Sequence, residues 1–182
     1  MTSLDKTSII DRVFLQGDPR YDQTATEEVL WFLDEEGITL EDQSHTLKSF
    51  ETGIRNIQPS GPQKDLKSLV LSLFKQRDIT FKGFEQRIKY GIADMIGNKD
   101  NLTILVECGP CRIDKGFNYL REENTELWVV TDEFDHTKPD YACLCLFIIK
   151  RGPNWEECIG KHDSYHIHQL KSVGKHIDIL MS

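Results

Sequence analysis

Residues 92–120, IADMIGNKDNLTILVECGPCRIDKGFNYL, decide the fold: two apolar runs meet at a polar turn, and a short amphipathic stretch follows the second run. NKDN, residues 98–101, has the composition of a tight turn. LTILVEC, from Leu102, is rich in β-formers and reads as a central strand. Just upstream, Ile88, Tyr90 and Ile92 alternate as in a strand, with Gly91 as a bend, whereas Phe84, Ile88 and Ile92 would share a helical face; we take the strand reading. The result is a hairpin from about Gln86 to Cys108, then a helix from about Asp114 to Arg121. This arrangement puts Asp94 and Glu107 on paired strands, with Lys115 opening the helix.

Working outward, Leu66, Leu69, Val70, Leu73 and Phe74 fall at i, i+3, i+4, i+7 and i+8, which predicts a helix from Gln63 to Gln76. Downstream, ELWVVTD and YACLCLFII predict two more strands, and HQLKSVGKHIDIL predicts a helical or mixed C-terminus. The expected order is helix, three strands, helix, two strands, helix. A meander followed by a helical crossover indicates an α/β fold with a mixed central sheet and helices on both faces.

Pro59, Ser60, Gly61 and Pro62, within NIQPSGPQKD, divide the chain into residues 1–58 and residues 59–182. Before this boundary, Thr24 and Glu27 form a candidate capping box for a helix ending near Gly37, and a second helix is expected from Asp42 to Ile54. Residues 1–60 carry 12 acids against 5 Lys/Arg, whereas residues 61–182 carry 18 against 17. The front of the chain thus reads as an acidic helical extension without a cluster of reactive residues, suited to capping, a protein partner or a homodimer. A net charge of −8 argues against strong nonspecific nucleic-acid binding, which depends on neutralising phosphates, but leaves room for a small, locally basic groove. The N-terminal stretch lacks the basic start and long apolar run of a signal peptide, and no apolar run reaches membrane-spanning length, so no membrane association and a cytoplasmic location are expected. Five cysteines fit reduced thiols, one redox pair or a metal site better than a disulfide framework.

Two carboxylates and an ammonium in this order suit phosphodiester hydrolysis. Mg²⁺ takes one or two carboxylates and fills its octahedral shell with water and phosphate oxygens. Twelve residues and one turn separate Asp94 from Glu107, so antiparallel pairing brings them roughly opposite each other. Lys115 would then steady the nucleophile or the developing charge.

The acid within AxD, the hairpin turn, the apolar strand ending in Glu107-Cys108-Gly109, the helix bearing Lys115 and the following LWVV together resemble the core of the restriction-endonuclease-like PD-(D/E)xK nuclease superfamily. The resemblance implies a restriction-endonuclease-like mixed sheet. It also implies Asp94 and Glu107 as ligands of Mg²⁺ or Mn²⁺, with nucleic acid as substrate. The family's Lys normally follows the second acid by two residues, where this chain has Gly109; the resemblance moves that role to Lys115. A catalytically inactive interaction module with the same fold is the alternative.

CGPC, Cys108 to Cys111, resembles the thioredoxin redox motif and supports a third reading, thiol–disulfide exchange. Against it, Glu107 replaces the family's Trp, and Pro139 lies too close to Cys111 for the usual intervening elements. Zinc could use Cys108, Cys111, Cys143 and Cys145, or His162, His166 and His168, although buried thiols and a solvated turn account for these groups equally simply. Trp31, Trp128 and Trp155 are expected in the core, and Arg87, Lys89, Arg112 and Lys115 are expected along the groove.

Overall fold

The computed structural model describes residues 9–14, 22–44, 64–89, 91–134 and 142–162. Within these, residues 9–13 are helical and are followed by helix α1 (Asp22–Asp34), strand β1 (Ile38–Asp42) and helix α2 (Lys64–Gln76). Strands β2 (Thr80–Ile88), β3 (Gly91–Lys99) and β4 (Leu102–Cys108) come next, then helix α3 (Ile113–Leu120), strands β5 (Thr125–Phe134) and β6 (Ala142–Arg151), and helix α4 (Trp155–His162). Among the described residues, no helix is long and apolar enough to cross a membrane.

The six strands form one sheet in the order β1-β6-β5-β4-β3-β2. The meander β2-β3-β4 is antiparallel, β5 runs parallel to β4 after the α3 crossover, and β6 returns antiparallel to β5. A parallel neighbour requires a crossover, and α3 supplies it.

Alternation along the strands divides the core into two layers. Leu127, Val129, Phe147 and Ile149 face one side, where they meet Ile10, Val13 and Phe14, Val29 and Phe32 of α1, and Phe117 and Leu120 of α3. Trp128, Val130, Leu146 and Ile148 face the other side, where α2 lays down Leu66, Leu69, Val70, Leu73 and Phe74. Strands buried on both faces read as continuous apolar runs, which explains LWVV and the run over residues 145–149. The mixed sheet between helical layers agrees with the α/β class expected from the sequence, and α2 carries the five buried residues that the periodicity picked out.

The N-terminal region differs from the helical expectation. Ile38–Asp42 forms a strand, paired with β6 from Ile38↔Arg151 to Asp42↔Phe147. The Asp42 side chain then accepts the Ser44 N–H at 2.9 Å and closes the strand. A β-branched start in ITLED and an open edge on β6 outweigh the helical propensity read at Asp42. The remainder of the expected second helix, residues 45–54, lies outside the described residues, as does the helix expected within HQLKSVGKHIDIL. The terminal described helix is instead α4, which places Trp155 and Cys158 in the core beside α1.

Candidate active site

The β3–β4 ladder runs from Lys99↔Leu102 back to Met95↔Val106, where the backbone pairing stops. One step further along the same register, Asp94 faces Glu107. At this point the Asp94 side chain takes over from a strand carbonyl: its Oδ2 accepts the Cys108 N–H at 2.7 Å. Gly109, with φ 101, then turns the chain out of the strand while its N–H donates to Val130 O at 2.7 Å. Cys111 bridges to Phe14, donating its N–H to Val13 O, so α3 starts from a fixed point.

Helix α3 places Lys115 and Tyr119 one turn apart on one face. Lys115 Nζ lies 2.8 Å from Glu107 Oε1 and donates to Ile92 O at 2.9 Å. The Tyr119 hydroxyl lies 2.9 Å from the same Glu107 oxygen and 3.3 Å from the same carbonyl. Both donors therefore hold Glu107 by Oε1. Among the described residues, Glu107 Oε2 and Asp94 Oδ1 have no hydrogen-bond partner.

Burial pushes the Glu107 carboxyl above its ordinary range; the Lys115 hydrogen bond and charge oppose this, the Asp94 charge adds to it, and the Tyr119 hydrogen bond opposes it. Burial and then the Glu107 charge push the Tyr119 phenol up, so it stays a protonated donor. The site is a carboxylate held in a poor solvent by two donors, with a second carboxylate behind it. It has spare capacity for positive charge.

Beside Glu107 opens a cleft of about 450 Å³ lined by Arg87, Ile92, Pro110, Arg112 and Lys115, among others. Three of the four cations expected along the groove line this cleft, and the fourth, Lys89, lines a neighbouring hollow with Tyr119. Asp94 is half-buried and is not part of the cleft lining. The structure thus brings Glu107 and Lys115 into direct contact and sets Asp94 beside them in the ladder. Tyr119 is the residue of the candidate site that sequence reading missed. Its signal is the i+4 spacing from Lys115, which a tyrosine in an apolar helix disguises as ordinary core.

Glu85, the acid on β2, pairs with Lys67 of α2 at 2.6 Å. Among the described residues, no three or more His, Cys, Asp or Glu side chains gather as a metal-binding group. A two-carboxylate Mg²⁺ site takes its other ligands from water and phosphate oxygens. The side chains of Cys143, His162, His166 and His168, all members of the candidate zinc sets, lie outside the described residues.

The CGPC cysteines, Cys108 and Cys111, are buried thiols outside any disulfide. Cys108 packs in the α2 layer and Cys111 in the α3 layer. Burial, with the Asp94 charge next, pushes the Cys108 thiol up to about 12, the opposite of what an attacking thiolate needs. No family model, curated protein or solved structure matches the chain.

Proposed function

We propose that this protein is a metal-dependent phosphodiesterase of the restriction-endonuclease-like type, hydrolysing nucleic-acid phosphodiester bonds at Asp94, Glu107 and Lys115. The observation that carries the reading is the 2.8 Å contact of Lys115 Nζ with Glu107, at the point where the register sets Glu107 opposite Asp94. The strand order adds support, because the two acids fall on the second and third strands of the meander and the lysine falls on the crossover helix, as the family resemblance implies.

Asp94 Oδ1 and Glu107 Oε2, the carboxylate oxygens left open, would hold Mg²⁺ or Mn²⁺. When bound, the metal supplies Lewis-acid polarisation of the phosphate and lowers the pKa of water. The protein's own groups do the rest. An ammonium has three N–H donors; Lys115 directs two at Glu107 Oε1 and Ile92 O, which leaves one for the attacking water or for charge building on the phosphate. Tyr119 keeps Glu107 from rotating, and Arg87 and Arg112 flank the cleft mouth with positive charge. In the step itself a water oxygen adds to phosphorus and gives up one proton to solvent, the bond to the leaving oxygen breaks, and that oxygen takes a proton from solvent and departs as an alcohol.

A noncatalytic module with this fold is the second reading, favoured by one observation: Lys115 and Tyr119 already satisfy one oxygen of Glu107. Labelled single- and double-stranded DNA and RNA, incubated with Mg²⁺ or Mn²⁺, separate the two readings. Chelator, Asp94→Ala and Glu107→Ala are each expected to abolish cutting, with losses of at least about 100-fold. Wild type that cuts nothing, or variants that cut equally well, would leave the binding module.

A further inference from the structure

We propose that the cleft over Glu107 takes a single unpaired nucleotide of a single-stranded nucleic acid, with its phosphate on Arg87, Arg112 and Lys115 and its base against Ile92 and Pro110. This inference rests on the phosphodiester reading of the same site. The cleft is built from two kinds of surface. Three cations border it, and beside them stand an exposed proline and Ile92, a large apolar side chain left 44% exposed. Arg87 sits directly opposite Ile92 in the β2–β3 ladder, and Lys115 bonds to the Ile92 carbonyl, so the apolar and charged parts form one surface.

Phosphate alone calls for no apolar wall. A nucleobase does, but only through its flat face, and in a duplex that face is stacked on its neighbours. The base that lies on Ile92 is therefore unpaired. Size agrees: a cleft of about 450 Å³ has room for one nucleotide, in the range of ordinary small-ligand sites. Charge agrees as well, because a net charge of −8 disfavours a long polyanion track and leaves a few local contacts.

Binding by fluorescence anisotropy in chelator tests this without catalysis. The ligands are a fluorescein-labelled oligothymidylate, an oligouridylate, and the oligothymidylate annealed to its complement. At least one single strand is expected to bind about ten-fold or more tighter than the duplex, and comparison of the two single strands assigns DNA or RNA. With three phosphate-contacting cations, log K should fall against log salt with a slope of about −2. Ile92→Ser should weaken single-strand binding about ten-fold with the slope unchanged. Arg87→Ala should weaken it and reduce the slope by about 0.7. Both side chains are exposed, and melting curves check that the variants remain folded. Equal or tighter duplex binding, or wild-type binding by both variants, overturns the inference. Cleavage in Mn²⁺ is scored separately. Selective single-strand binding without cutting removes the hydrolytic reading and keeps the nucleotide site, whereas cutting without that selectivity does the reverse.

Discussion

Glu107 shows how the proposed catalytic arrangement is held at a cost to stability. Its carboxylate is buried beside a second carboxylate, and two donors only partly compensate. Native Glu107 therefore holds its proton more tightly than the unfolded chain does. Between its ordinary value of 4.5 and its raised native value the folded state binds more protons, so its contribution to stability falls as pH climbs through that window. Glu107→Gln keeps the shape and removes the buried charge, while Lys115, with its side chain 20% exposed, retains contact with water. In chelator, the variant should melt with wild type near pH 4 and above it near pH 8, by about 2–4 °C for each kcal/mol relieved. Thermal melts across that range check this; a variant that melts lower at pH 8 would show that the Lys115 pair outweighs the burial. At this scale the sequence was informative where chemistry is rare and silent where it is common. An Asp and a Glu in apolar strands, followed by a Lys at a helix start, stand out by type, but Tyr119 is identified only by the atom its hydroxyl reaches.

Helix α2 and strand β2 carry the same contrast between what pattern reveals and what packing decides. The heptad-like spacing of Leu66, Leu69, Val70, Leu73 and Phe74 marks the buried face of α2, and all five are buried. Lys67 is buried as well, at 1% exposure, with its ammonium 2.6 Å from Glu85 and 5.6 Å from the centre of the Phe84 ring. A lysine on a helix is ordinarily a surface residue, and nothing local announces that β2 will bend over this one. The bend comes from a register shift between Phe81 and Gly83 and from Glu85 at φ 50, an uncommon conformation for a residue with a Cβ. Glu85 is 43% exposed, so it can stay charged in water if its partner is lost. Lys67→Met should thus leave stability within about 1 kcal/mol of wild type or raise it, since a buried ion pair is often replaceable by an apolar side chain. Leu69→Ala, at a fully buried position, should cost about 2–5 kcal/mol. Urea unfolding of the two variants checks the pair, and a loss for Lys67→Met as large as that for Leu69→Ala would assign the lysine a structural role beyond its ion pair.

For the whole molecule, the meander, crossover and return strand were legible because each carries a local signal: a polar turn, an amphipathic run, an apolar strand. Strand β1 was not, because five residues of ITLED gain their β-structure from the open edge of β6, more than 100 residues away in sequence. The front of the chain is also built into the core. Ile10, Val13, Phe14, Val29, Phe32 and Ile38 are each at most 2% exposed and belong to the same cluster as α3 and β5. The turn after β6 is fitted against the turn before β1: Gly152 donates to Gly37 O at 2.9 Å, and a Cβ at Gly152 would lie 2.0 Å from Glu36 O. Six such side chains represent roughly 9–18 kcal/mol of burial as an upper estimate. A whole domain of this size has only about 5–15 kcal/mol of net stability. A fragment of residues 59–182 contains every proposed catalytic residue yet lacks all six, and it leaves the β6 edge unpaired. It should show no cooperative urea transition and little near-ultraviolet circular dichroism from Trp128 and Trp155, while the full chain shows both. Cooperative unfolding of the fragment with a midpoint near that of the full chain would mean that the second part folds alone and that the N-terminal elements merely dock on it.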